Sequence, residues 1–365
     1  MSTQPRPSGF NRRALIRGGL TATAVGALGI GASNLASAST PGKSTAKKGR
    51  AAEEPRIYSC EEWEARPPDG EITILDHVPT FIVVHHTADP GNSEDYSLEH
   101  AKQIARDIQN FHMDGQGWGD TGQQFTNSRG GYVLEGRHES LGVVRGGTQH
   151  VQGANVGNHN SEVIGIENEG IYVDVDVPQA LWDSLVQLVA WIATQYDRPL
   201  ENIQGHRDFN STECPGQVLY DRLQELRDAV ADVMGVARVD GPGIWPLLKP
   251  RAVNPQVRAA QHLLRAKGFS QVPTDGVFGS ATKEAVVKLT EVHKIKRHTC
   301  SADLHSKVDE TGFLGSDIWP LITPHIRPGE NDDVAEALAT LRRAGGTRAS
   351  TSDKLTEKDW KRLLA

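Results

Sequence analysis

The chain has 365 residues, room for about two domains, and its 23% charged and 37% hydrophobic side chains make the balance of a globular protein. The formal charge is −7, and because residues 1–38 hold Arg6, Arg12, Arg13 and Arg17 without a single acid, everything beyond them is more acidic still. A nucleic-acid partner, which calls for a basic stripe or face, is therefore not expected.

The chain opens on Asn11-Arg12-Arg13-Ala14-Leu15-Ile16-Arg17, followed by a mildly apolar stretch rich in Gly and Ala and then Ala36-Ser37-Ala38. Paired arginines, a weak hydrophobic segment and a small-residue cleavage pattern resemble a twin-arginine export signal over residues 1–38, which implies a secreted protein. Glycines and polar residues make the same stretch poor bilayer material, so no stable membrane span is expected after cleavage. Residues 39–55, nearly free of large apolar side chains, read as a flexible linker.

The first domain is expected over residues 56–236. Trp63 reads as core. Phe81-Ile82-Val83-Val84 is a compact β-branched run with the character of a buried strand, and it ends in His85-His86. Ser97 can cap a helix that places Leu98, Ala101, Ile104, Ile108 and Phe111 on one face and ends near His112. Two short strands, Gln124 to Asn127 and Tyr132 to Glu135, meet at a glycine-bearing turn. Val163 to Glu167 is a further apolar run; Pro178 starts a helix bearing Leu181, Leu185, Leu188 and Ile192; a strand at Ile203-Gln204 leads to His206; and Leu219, Leu223, Leu226, Val230 and Val233 mark a third helix. Interleaved strands and helices with one hairpin predict an α/β fold, a mixed β-sheet flanked by helices.

Three residue types that zinc accepts stand at the ends of these elements: an imidazole at 85 or 86, His206, and Cys214 eight residues later. Successive strand residues face opposite sides, so His85 and His86 cannot both reach one metal. Three ligands of mixed nitrogen and sulfur type suit a catalytic Zn2+ with its fourth position open, since a structural site takes four.

The segments Ile82-Val83-Val84-His85-His86-Thr87-Ala88, Gly122-Gln123-Gln124-Phe125, Val163-Ile164-Gly165-Ile166-Glu167 and Gly205-His206-Arg207-Asp208 with Cys214-Pro215-Gly216 occur in that order. In this they resemble peptidoglycan recognition proteins and bacterial N-acetylmuramoyl-L-alanine amidases, over about residues 57 to 233. The resemblance implies the fold of that family and the ligand set His85, His206 and Cys214. It also implies a departure: the family's zinc-assisting Tyr is replaced by Gln123, which cannot titrate. Glu167, where a subset of bacterial amidases carries a working Glu, becomes the expected general acid/base, its pKa raised at the end of an apolar strand. Thr212 is the expected oxyanion donor. His86, His112, Trp118, Gln123, His150 and Asn155 are expected to line the substrate groove, and Glu169 and Glu135 to be a solvated carboxylate and a salt-bridge partner. Cys60 and Cys300 either pair or stay as two buried thiols.

Beyond residue 241 the segments Ile244-Trp245-Pro246-Leu247 and Ile318-Trp319-Pro320-Leu321 nearly repeat, 74 positions apart, and Val257–Gly268 is echoed by Val334–Gly345. Asp275-Gly276-Val277-Phe278-Gly279, followed by a helix capped by Ser280, resembles the peptidoglycan-binding module of cell-wall hydrolases, expected here as a small, mainly α-helical domain over 241–323. Residues 324–365 read as a degenerate second repeat, with a loop at Gly346-Thr347 to Ser352. The expectation is thus a secreted, monomeric zinc amidase that cuts between N-acetylmuramic acid and L-alanine, its partners being the glycan strand and stem peptide of peptidoglycan. The alternatives are a protein that binds peptidoglycan without cutting it, and a structural wall adhesin.

Overall fold

The computed structural model describes residues 51–302, 308–345 and 354–365. The leader, most of the linker and the loop expected near residue 350 lie outside the described residues. The chain forms β1 (Ile57–Tyr58), β2 (Ile74–Leu75), β3 (Phe81–His86), α1 (Leu98–Asn110), β4 (Phe125–Asn127), β5 (Val133–Glu135), α2 (Ser140–Gly146), β6 (His150–Val151), β7 (Val163–Asn168), α3 (Gln179–Tyr196), β8 (Ile203–Gly205), α4 (Gln217–Asp221) and α5 (Leu223–Met234). A mainly helical part follows: α6 (Pro255–Ala266), α7 (Ser280–His293), α8 (Trp319–Ile322), α9 (Asp332–Arg343) and α10 (Glu357–Leu364). This is the expected mixed sheet flanked by helices, followed by a small helical region.

Six strands make the main sheet in the order β1-β5-β4-β7-β3-β8, while β2 and β6 pair apart from it. The central strands β4, β7, β3 and β8 run parallel, and β4 turns back antiparallel into β5. Parallel strands covered on both faces read as continuous apolar runs, as β3 and β7 do. Alternation then sorts their side chains. Ile82, Val84, Ile164 and Ile166 enter the large core beneath α3 and α5, whereas Val83 and Val163 join a smaller cluster with Phe209 on the opposite face. His85 and Glu167 follow the second parity, His86 and Asn168 the first.

The Ser97 hydroxyl accepts from the His100 amide and starts α1 as expected. Three local expectations change. The chain after α1 continues as a five-residue π-helical turn, Phe111–Gly115, before it breaks. The expected third helix is two, interrupted at Arg222. Ser280 is the first residue of α7 rather than its cap, a position held by Gly279 without a side-chain bond.

In the helical part both repeats contribute to one core that contains Trp245, Trp319 and Trp360. The Trp245 and Trp319 rings stack with centroids 6.0 Å apart. The repeat is visible in detail: Asn254 caps α6 through the Val257 amide and Asn331 caps α9 through the Val334 amide. The Trp319 indole donates to the Pro246 carbonyl, as that of Trp360 does to Pro324. Phe278, in the Asp-Gly-x-Phe-Gly turn, is buried in the same core. No helix among the described residues is long and apolar enough to cross a membrane.

Candidate metal centre and active site

Strand register builds the site. His85 on β3 pairs with Glu167 on β7, and Val84 pairs with Gly205, the residue before His206, so three adjacent parallel strands deliver Glu167, His85 and His206 from their carboxyl ends. That edge is where open α/β sheets place their ligands. Cys214 reaches the same point because its carbonyl accepts from the Arg207 amide, closing the loop that starts at His206.

His85, His206 and Cys214 are all buried, and one ligand atom from each lies within 4.8 Å of the others. The Cys214 Sγ stands 3.6 Å from His85 Nδ1. Tetrahedral zinc, with sulfur near 2.3 Å and nitrogen near 2.0 Å, holds neighbouring ligand atoms about 3.5 Å apart, so this separation fits. His206 Nε2 bonds Asn210 Oδ1 at 3.1 Å, while its Nδ1 is buried without a partner. An imidazole whose outer nitrogen donates to an amide oxygen presents the other lone pair to a metal. Burial lowers the His206 pKa to about 3. Burial and the neighbouring His206 and His86 hold that of His85 well below its usual value. Both rings are therefore neutral, the form that binds a cation. Burial raises the Cys214 pKa, so metal binding would have to displace the thiol proton. The residues present fit zinc.

Around this centre the Glu167 carboxylate is fully buried, with Oε1 3.8 Å from His85 Nδ1. It accepts the Ser301 hydroxyl at 2.8 Å. The Thr212 hydroxyl accepts from the Cys214 amide at 3.2 Å and donates to Glu310 Oε1 at 2.9 Å. His112 Nδ1 accepts the Gly122 amide at 2.9 Å, and its Nε2 lies 2.6 Å from the Ser301 carbonyl. Trp118, half-buried, lies against that ring with centroids 4.7 Å apart. Asn155 donates to the Gly122 carbonyl at 2.9 Å and to the Gln124 side-chain oxygen at 3.2 Å.

Three of the expected groove residues have their own partners within the fold, and that of Gln123, Thr126, pairs with Glu167 in the sheet register. His86, on the core parity, accepts the Tyr172 amide at 3.3 Å. Gln123 is buried and donates to the Thr126 hydroxyl at 2.9 Å. His150 belongs to the β2/β6 ribbon and bonds the His77 carbonyl at 2.8 Å. Two carboxylates differ from expectation. Glu169 is not solvated: it is buried, 2.8 Å from His100 Nε2, and accepts the Arg129 amide at 2.9 Å, because α1 and the β4–β5 turn cover the end of β7. Glu135 accepts the Cys60 and Leu141 amides rather than a cation. All three cysteines are buried and free, Cys60 beside Trp63 and Cys300 beside Cys214. Cys300, Ser301 and Glu310 were not singled out for the site, since nothing in their spacing ties them to it.

The family described as N-acetylmuramoyl-L-alanine amidase matches residues 75–217, and the peptidoglycan binding domain family matches residues 253–295. The chain is 31% identical over 170 residues to mouse peptidoglycan recognition protein 1, covering 46% of this chain and 86% of that protein. The chain belongs to the peptidoglycan recognition protein and N-acetylmuramoyl-L-alanine amidase family. Other members similar to it are peptidoglycan-recognition protein LB of Drosophila melanogaster, 28% identical over 55% of this chain and 82% of that one, and human N-acetylmuramoyl-L-alanine amidase, 32% identical over 47% of this chain but 28% of the human protein. The solved structure of Drosophila PGRP-LB aligns with a TM-score of 0.41 at 23% identity, over 51% of this chain and 99% of that one. The family match spans His85, Glu167, His206, Thr212 and Cys214.

Proposed function

We propose that this chain is an exported, zinc-dependent N-acetylmuramoyl-L-alanine amidase that hydrolyses the amide between the lactyl group of N-acetylmuramic acid and the first L-alanine of the stem peptide. The observation that carries the reading is the convergence of His85, His206 and Cys214 beside a buried carboxylate, brought into register by three parallel strands. Zinc held there supplies a Lewis acid that polarises a carbonyl and lowers the pKa of a water. The chain's own groups supply the rest. Glu167 takes a proton from the attacking water and returns it to the leaving alanine nitrogen. Asn210 orients the His206 imidazole, and the Thr212 hydroxyl would supply the oxyanion donor once it leaves Glu310. The helical part would hold the enzyme on the wall, in keeping with its match to a peptidoglycan binding domain. The paired arginines near the start of the chain support export by the twin-arginine route, with cleavage after Ala38.

Recognition without cleavage is the second reading, and Gln123 favours it. This residue stands where the family's assisting Tyr is expected, is buried, and is directed at Thr126. The two readings separate when purified protein is incubated with insoluble peptidoglycan, with and without a chelator, and new alanine amino termini are counted. The amidase releases them and stops on chelation. Glu167→Gln is expected to lower the rate by about 10²- to 10⁴-fold with zinc content unchanged. Binding without release would leave only the second reading.

A further inference from the structure

In the helical part α9 packs along α6, and a cleft of about 320 Å³ opens between the start of α6 and the end of α9. Val253, Pro255, Arg258, Asp275, Thr340 and Arg343 line it. The first four stand within residues 253–295, the stretch that matches the peptidoglycan binding domain family, whereas Thr340 and Arg343 belong to the second repeat, outside that match. The cleft therefore needs both repeats.

Its charge is unusual for this chain. Arg258 and Arg343 are both exposed, and neither meets a carboxylate among the described residues. Arg258 Nε donates to the Thr274 carbonyl at 2.7 Å, which leaves its two terminal nitrogens unbonded among the described residues. Arg343 makes one bond there, to the Thr340 hydroxyl on its own helix at 3.5 Å. Arg56, Arg145, Arg222 and Arg238, by contrast, each pair with an acid. A chain of net charge −7 thus keeps two guanidinium groups unpaired in one cleft. The acid that shares it, Asp275, is engaged in its own turn, where Oδ1 accepts the Gln261 side-chain amide at 3.0 Å and the Val277 amide at 2.8 Å. Val253, 70% exposed, adds an apolar ledge beside Pro255. A planar guanidinium fork matches a carboxylate in shape as well as in charge. In peptidoglycan the sugars are uncharged and the lactyl carboxyl is taken up in the amide, so the carboxylates belong to the stem peptide.

Resting on the wall-binding reading of the helical part given above, we propose that this cleft holds a stem peptide of peptidoglycan, its carboxylates paired with Arg258 and Arg343 and its alanine methyl groups against Val253 and Pro255. The second repeat is then a working half of the binding site, because it supplies one of the two cations and one wall of the cleft.

Sedimentation of the full-length chain with insoluble peptidoglycan tests this, with a chelator present so that nothing is cut, and with the wall used both intact and stripped of its phosphate-bearing polymers. Arg343→Gln removes a cation that makes no bond beyond its own helix. It is expected to raise the Kd for stripped wall by about 10- to 100-fold, the loss of one charge-assisted hydrogen bond. Arg258→Gln is expected to do the same. Lys288→Glu, a larger change of charge at an exposed position of α7, is expected to bind as the wild type does. Converting the carboxylates of the wall to amides should bring the wild type down to the level of the two arginine variants. Arginine variants that bind like the wild type, or a Lys288→Glu chain weakened as much as they are, would overturn the cleft. Binding to intact wall that vanishes on stripping would overturn it too, since the partner would then be the phosphate polymers. A wild-type chain that sediments with neither preparation would overturn the wall-binding reading itself, and the cleft with it.

Discussion

At the scale of single residues, the site depends on small polar groups that hold the ligands still. Asn210 Oδ1 lies 3.1 Å from His206 Nε2, and His206 Nδ1 is buried without a partner, the arrangement in which that nitrogen is free to take a metal. Asn210→Ala is expected to weaken zinc binding by about 10- to 100-fold with the fold intact, measured by competition with a chromophoric chelator. The buried cluster of His85, His206 and Cys214 was legible because His85-His86 ends an apolar strand and the family motifs are ordered along the chain. Strand parity explains the choice between the two imidazoles, since His85 shares a face with Val83 and His86 shares one with the core. Glu169 was not legible: the Gly170 that follows suggests an exposed strand end, and only packing brings His100 and the Arg129 amide over it.

Among the elements, β3 and β7 were readable as buried strands from their β-branched runs, and α1 and α3 from apolar residues at helical spacing. The two-residue strands β2 and β6 carry too few side chains to show any period, and α2, only seven residues with a glycine inside it, resembles a loop. The packing of β7 against the site rests on the absence of a side chain at Gly165, where an added Cβ would stand 2.3 Å from Asn155 Oδ1. Gly165→Ala must push Asn155 away from the Gly122 carbonyl and the Gln124 side chain. We expect a loss of about 1–3 kcal/mol in urea unfolding. An unchanged unfolding midpoint would show that the Asn155 bonds do not matter to the fold.

For the whole molecule, the two repeats of the helical part share a core, and the Trp repeats were legible, whereas the docking of that part onto the Arg207–Cys214 loop was not, because it relies on isolated polar contacts far apart in sequence. Trp319→Ala is expected to cost about 3–5 kcal/mol, seen as a lowered unfolding midpoint. The docking also titrates. Burial outweighs the bonds from Glu213 and Thr212 and lifts the Glu310 pKa from 4.5 to about 7. The folded state therefore binds this proton more tightly than the unfolded state, and stability from Glu310 is full below pH 4.5 and is lost as pH rises through about 7. Glu310→Gln should flatten the fall in melting temperature over that range, as read by calorimetry at several pH values.

Zinc titration of the metal-free full-length chain tests the central claim most directly. One ion per chain is expected to bind in the wild type, and binding is expected to collapse in His206→Ala and Cys214→Ser while their circular dichroism stays native. A wild-type chain that takes up no zinc, or variants that bind it undiminished, would contradict the account.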